Sequence, residues 1–208
     1  MPERLSRGFP LFPVGMVALP SETVPLHIFE ERYRQMIEEC LQGEHEFGIL
    51  WLSDEELKPV GCACQIEQVV ERTPDGRLNI LARGTRPFRL VARQDDLPYP
   101  AGVVEFLAEQ EEVTDPENAK AAHELYRELV EQATDRTPAE DELLQMSAYR
   151  MAATVEFGAD AKQELLELRS ENARLRLLAL LLRAAIKRLE LVDRAQARAR
   201  SNGKVRFA

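Results

Sequence analysis

Cys62 and Cys64 form the only metal-like ligand spacing in this 208-residue chain. On a strand the two thiols share one face, and a closed zinc site needs about four such ligands. The other candidates, Cys40, His27, His45 and His123, carry no paired motif. Cysteine is also a good small core residue. The pair therefore reads as buried strand positions, and no metal is assigned. Phosphate chemistry lacks its cradle, because no Gly-x4-Gly-Lys-Ser/Thr loop occurs. The only Gly-Lys, Gly203-Lys204, is followed by valine. No Gly-x-Ser-x-Gly nucleophile elbow occurs either. Six serines and five lysines supply no pair that spacing singles out. The expectation is a protein with no catalytic residues and no cofactor, not an enzyme.

The most structured stretch is Leu11-Phe12-Pro13-Val14-Gly15, Leu19-Pro20, then Val24-Pro25-Leu26-His27-Ile28-Phe29-Glu30-Glu31-Arg32-Tyr33. Proline cannot donate to a sheet ladder, so Pro13, Pro20 and Pro25 predict short edge-type extended segments with fixed bends. From Phe29 the period changes. Tyr33, Met36, Ile37, Cys40 and Leu41 share one helical face, and Gly43 is placed as the C′ residue. Glu30 and Arg34, four apart, are expected to form a helix-supporting ion pair of ~0.2–0.5 kcal/mol. His27 either hydrogen-bonds the turn or helix start, or contacts a ligand.

These residues carry a resemblance. Leu11-Phe12-Pro13, Pro25 to Glu30 and Arg32-Tyr33-Arg34 resemble the opening of the Lon protease amino-terminal (LON substrate-binding) domain family. Phe47-Gly48, Val60-Gly61, Asp75-Gly76-Arg77-Leu78-Asn79 and Arg86-Pro87-Phe88-Arg89 continue it in order. The resemblance implies an α+β fold: a PUA-like, partly closed β-barrel with one inserted helix, then a carboxyl-terminal α-helical subdomain. It also implies a stand-alone domain of that family, without its ATPase and peptidase. The partner it implies is polypeptide, as unfolded or exposed apolar segments. They would be bound by a groove or sheet edge of the barrel against the helical part, with Phe12, Phe29, Arg32, Tyr33 and Trp51 as candidate contacts. Aromatic and arginine residues make the strongest anchors, but each of these aromatics reads equally as core.

The rest of the chain fits that order. Glu46 to Ser53 is an apolar run of strand length. In Val60 to Val70, Cys62, Cys64, Ile66 and Val70 share a face, with Gln68 as the exception. Thr73-Pro74-Asp75-Gly76-Arg77 is a turn, since proline presets its first bend and Asp-Gly tolerates positive φ. Leu78 to Arg83 returns as the hairpin's second strand. Gly84 interrupts it, and Pro87 restricts the residues after it to an edge or bend. Phe88 to Ala92 and Ala101 to Gln110 complete five or six short strands. Residues 1–9 are expected to fray.

The domain cut is placed at 110/111. Asp115-Pro116 is an N-cap with proline at N1. Thr137 to Glu140 has capping-box spacing and starts a second helix, with a stripe of Leu144, Ala148, Met151 and Val155. A short helix at 160–168 precedes a leucine-rich last helix from Ser170, with a flexible basic tail past Ser201. That last helix either buries its leucines or pairs with another chain. Its run is crowded for a two-per-heptad seam, which favours burial and leaves the oligomeric state open.

The formal net charge is −9, unevenly spread. Residues 1–108 carry eleven bases and seventeen acids, residues 109–164 five and fifteen, and residues 165–208 eleven and four. Acidity weighs against nucleic acid, whose affinity comes from phosphate neutralisation. The basic carboxyl end keeps RNA binding as the alternative, since PUA-like barrels include RNA-binding members. A small-molecule-regulated enzyme or sensor ranks last. Three cysteines suggest no disulfide framework and a reducing cytoplasm. No signal peptide is visible in Met1 to Pro10, and no apolar run reaches the ~20 residues of a membrane span.

Overall fold

The computed structural model describes residues 5–54 and 56–202. Six strands lie among them: β1 (Leu5–Val14), β2 (Thr23–Ile28), β3 (Phe47–Trp51), β4 (Val60–Arg72), β5 (Leu78–Gln94) and β6 (Ala101–Phe106). One helix, α1 (Glu31–Gly43), is inserted after β2. The sheet order is β2-β5-β4-β3-β1-β6, and β6 also pairs with β5. The sheet therefore closes on itself, with β2 appended to β5. The helices come next: α2 (Pro116–Ala133), α3 (Glu140–Leu144), α4 (Ala148–Ala152), α5 (Ala159–Glu167) and α6 (Glu171–Asn202). This is the α+β fold expected, a partly closed barrel followed by helices.

The prolines are accommodated differently from the expectation. β1 is not an edge strand, for it pairs antiparallel with β6 and parallel with β3. It does so in succession. Residues Leu5 to Pro10 are in register with β6, and Leu11 to Val14 with β3. Each half keeps one open side, which is where a residue without an N–H is tolerated. The same device operates in β5, a single strand through both Gly84 and Pro87. Its β2 pairing ends at Arg83 and its β6 pairing begins at Phe88, so Pro87 lies in the gap. Leu5 and Ser6 do not fray but pair with β6, ahead of an irregularity before Phe9; residues 1–4 lie outside the described residues. Only β2 is an edge of the expected kind, with Val24, Leu26 and Ile28 inward and Thr23, Pro25 and His27 exposed.

β4 departs from strict alternation. Its register slips near Ala63, Gln68 and Glu71, and each bulge re-aims the side chains beyond it. Val60 to Cys64 are all buried, while Val70, expected inward, is exposed. The barrel core holds Phe9, Leu11, Leu50, Ala63, Phe88 and Val104. Phe9 meets the Phe88 and Phe106 rings edge-on, each at 5.5 Å. Space for Phe88 exists because Gly48 and Gly61 flank it. A Cβ at Gly48 would stand 2.5 Å from the ring, and one at Gly61 would stand 2.3 Å from the Ile49 carbonyl oxygen.

The described chain divides into two units. The first takes residues up to 111 together with 149–170, so α5 belongs with the strands and the cut at 110/111 is not the whole division. α5 docks on its own unit through polar contacts. Gln163 Nε2 donates to the Val60 carbonyl at 3.1 Å, and Lys162 pairs with Glu22 where both are mostly buried.

The second unit, 112–148 and from 171 on, is built on α2 and α6. Asp115 caps α2 as expected, accepting from the Glu117 N–H at 2.9 Å. Thr137 caps nothing: α3 begins after Ala139 with no side-chain cap. The expected long second helix is broken at Gln145 to Ser147. There the Ala148 N–H donates to Glu171 Oε1 at 2.7 Å, and His123 Nε2 donates to the Met146 carbonyl at 3.0 Å. Ala148 and Met151 are buried as the stripe requires, but Leu144 is exposed and its neighbour Leu143 is buried in its place. α6 continues well past Val192, to Asn202. The flexible tail expected beyond it lies outside the described residues.

Candidate functional site

The first unit carries an open groove of about 660 Å³. Four parts of the chain line it. β1 contributes Leu11 and Pro13, and the start of α1 contributes Glu30, Arg32 and Tyr33. The β3–β4 connection adds Leu52 and Leu57, and the end of β5 with its turn into β6 adds Leu90, Arg93, Asp95, Leu97, Pro98, Tyr99 and Pro100. The lining is thus leucine and proline, with charge at the rim.

Local structure fixes these side chains. Leu52 and Leu57 face each other across an isolated antiparallel bridge. The Lys58 N–H donates to the Trp51 carbonyl at 2.9 Å, and the Leu52 N–H to the Val14 carbonyl at 2.9 Å. Leu52 is therefore held 49% exposed by backbone on both sides, not by packing. An apolar side chain held in water this way is a ready contact for another apolar group. On the opposite wall Tyr99 donates its hydroxyl to Glu39 at 2.6 Å. Burial first, then the hydrogen bond to Glu39, raises the Tyr99 phenol above its ordinary range. The hydrogen bonds from Tyr99 and Gln35 lower the Glu39 carboxyl.

The five candidate contacts are placed unequally. Phe12 (8% exposed) and Tyr33 (7%) are core residues, meeting edge-on at 4.6 Å. Tyr33 nevertheless lends one edge to the groove, and burial raises its phenol pKa. Arg32 lies on the rim, its guanidinium 4.7 Å above the Tyr33 ring. It pairs with Glu30 at 2.7 Å, taking the partner expected for Arg34. Arg34 instead donates to the Asp75 carbonyl at 2.9 Å. Trp51 is half-buried and lines a separate depression with Leu52, Asp54 and Lys58. Phe29 is 59% exposed but outside the groove, stacked on His27 at 5.8 Å. His27 donates through Nδ1 to Asn79 Oδ1 at 2.6 Å, so it ties β2 to β5 and does not serve the helix start.

Sequence reasoning missed the leucines and prolines of this groove. The signal was present in Trp51-Leu52-Ser53-Asp54-Glu55-Glu56-Leu57, where two leucines interrupt a charged connection, and in Leu97-Pro98-Tyr99-Pro100. Cys62 and Cys64 are fully buried. Their thiols donate to the Ala63 and Cys62 carbonyls, and burial pushes the Cys62 thiol well above its ordinary value. Among the described residues, no three His, Cys, Asp or Glu side chains gather as metal ligands would. No described helix is long and apolar enough to cross a membrane.

The family model of the ATP-dependent protease La (LON) substrate-binding domain matches residues 8–184. The chain belongs to this family. Solved structures agree with the assignment. A Lon N-terminal domain protein from Xanthomonas campestris is 26% identical with a TM-score of 0.64, covering 82% of this chain and 95% of its own. The N-terminal domain of Lon protease from the Mycobacterium avium complex is 21% identical with a TM-score of 0.62, covering 84% and 97%, and supports the fold alone. The LON substrate-binding domain is a non-catalytic, Lon-like substrate-binding module.

Proposed function

We propose that this LON substrate-binding domain captures exposed apolar segments of polypeptide in the groove lined by Leu52, Leu57, Leu90 and Leu97, without chemistry of its own. It would act as an adaptor in protein quality control, in the reducing cytoplasm that three free thiols suit. One observation carries the reading: Leu52, exposed, is held by backbone hydrogen bonds at a leucine- and proline-lined groove. A preorganised apolar site loses less entropy on binding. A groove is favoured over strand addition at β2, because Pro25 gives that edge no N–H for an incoming chain. Of the sequence candidates, Arg32 and the Tyr33 edge stay in the proposed site. Phe12 is assigned to the core beneath it. The rim balances Arg32 and Arg93 against Glu30 and Asp95, which lends no support to a nucleic-acid ligand.

The test is fluorescence anisotropy with a labelled, reduced and carboxymethylated protein as a permanently unfolded probe. Leu52→Asp and Leu57→Asp should each weaken binding about tenfold or more, as expected for hot-spot positions, while Phe29→Ala leaves it unchanged. Binding that survives both leucine variants, in protein shown to be folded, sinks the groove as the site.

A further inference from the structure

We propose that the exposed face of α6 docks on the acidic face of α2 in a second copy of this chain, in a two-fold dimer. α2 and α6 start side by side, where the Asp115 N–H donates to Asn172 Oδ1 at 2.7 Å and Asn172 Nδ2 donates to the Val113 carbonyl at 3.0 Å. α2 is 18 residues long and α6 is 32. Among the described residues, the last buried one of α6 is Ile186. The 16 residues beyond it extend for ~24 Å without α2 beside them, at 1.5 Å per residue. A helix of that length is marginal in water by itself, so a covering surface stabilises it.

The face that α6 leaves open is continuous. Leu180, Ala184, Arg188, Leu191 and Ala195 succeed one another at helical spacing, all exposed, with Leu180 at 61% and Leu191 at 56%. Arg183, Lys187 and Arg194 stand alongside. Residues 187–202 hold five bases against two acids, Glu190 and Asp193, of which Glu190 pairs with Arg194 at 3.0 Å. The complement lies on α2. Glu117, Ala121, Glu124, Glu128 and Glu131 make one line, with all four carboxylates exposed. Residues 116–135 hold five acids against two bases. The two stretches thus oppose in charge. Pairing α6 with α6 would set like charges together, which is destabilising. A two-fold arrangement satisfies both contacts at once, since each copy offers both surfaces.

Sedimentation of the full chain across a concentration series tests this. At ~20 mM salt the wild type should form a dimer that falls apart as salt is raised to ~0.5 M, where screening is short-ranged. The triple variant Lys187→Glu/Arg188→Glu/Arg194→Glu and the triple variant Glu124→Lys/Glu128→Lys/Glu131→Lys should each dissociate about tenfold or more readily, with helix content by circular dichroism unchanged. Mixed in equal amounts they should associate again, because the mixed dimer restores opposite charge at both contacts. A wild type that stays monomeric at low salt overturns the proposal. So does a salt-insensitive dimer, or a mixture no tighter than its components. An α6 variant that self-associates as tightly as the wild type would point to a contact that does not use these charges and overturn it as well.

Discussion

The two units of this molecule are stabilised in different ways. In the first, strands distant in sequence close a sheet around Phe88 and Phe9, and glycines at 48 and 61 make the room those rings need. In the second, α2 and α6 lie together over leucines and a tyrosine, and α6 then runs on with no buried residue after Ile186 among those described. A closed sheet leaves little to add to, whereas a two-helix unit with an overhang is open to a further partner. The contrast separates a body that positions a groove from one that presents a surface.

The largest expected effect probes the sheet core. Phe88→Ala removes a fully buried ring and should cost ~3–5 kcal/mol, read as a lowered urea midpoint. Leu178→Ala, fully buried on α6, should cost ~2–5 kcal/mol. Leu191→Ala, on the overhang of the same helix, should stay within ~0.5 kcal/mol at high salt. Equal losses at 178 and 191 would mean that the overhang is packed within the monomer, and the contrast between the units would fail.

A finer effect lies at the tip of the β4–β5 hairpin. The Thr73 hydroxyl first, then the Arg77 guanidinium, hold the Asp75 carboxyl down to about 2 from its ordinary 3.8. A carboxylate with a depressed folded-state pKa favours the folded form above about pH 4, and that contribution is lost as pH falls through about 2. Asp75→Asn should therefore lower stability at neutral pH and flatten its acid limb, leaving stability near pH 2 unchanged, and carboxyl titration by NMR checks the depressed Asp75 value directly. The smallest effect is chemical. Burial, then the Glu39 charge, pushes the Cys40 thiol up to about 11, and burial raises Cys62 well above its ordinary value. All three thiols should resist a disulfide reagent at about pH 8 in the native protein and react together once urea unfolds it. Labelling of one thiol in native protein would reveal local opening of the sheet.

Much of the fold was legible because its signals are local. The change from period two to helical spacing at Phe29 to Leu41, the turn at Asp75-Gly76, where Gly76 sits at φ 84, and the cap at Asp115 each depend on neighbours a few residues away. The misreadings depend on partners far along the chain. Gly84 looks like a break, yet it continues β5. The Leu19 carbonyl crosses so closely that a Cβ at Gly84 would stand 2.1 Å from its oxygen. Gly43 looks like a C′ residue, yet Glu44 takes the left-handed conformation at φ 52, and a Cβ at Gly43 would meet the His45 ring. The candidate groove was the least legible feature, because Leu52, Leu90 and Leu97 are brought together by sheet closure and by nothing in their spacing. The aromatic and arginine residues that looked like anchors were partly drawn into the core, as Phe12 and the ring of Tyr33 were, because closing the sheet over α1 buries that face.

α5 has a consequence for how this chain comes off the ribosome. It belongs with the strands, yet it comes after α2, α3 and α4 in sequence, so the path passes from one unit to the other three times. The barrel end at Val60 and Glu22 stays without Gln163 and Lys162 until those residues emerge. By then all of α2 has been made, and α6, its packing partner, has not. For that interval a nascent sheet and an unaccompanied acidic helix coexist on one tether, and a gene fragment ending at residue 158 would leave the protein in that unfinished condition permanently.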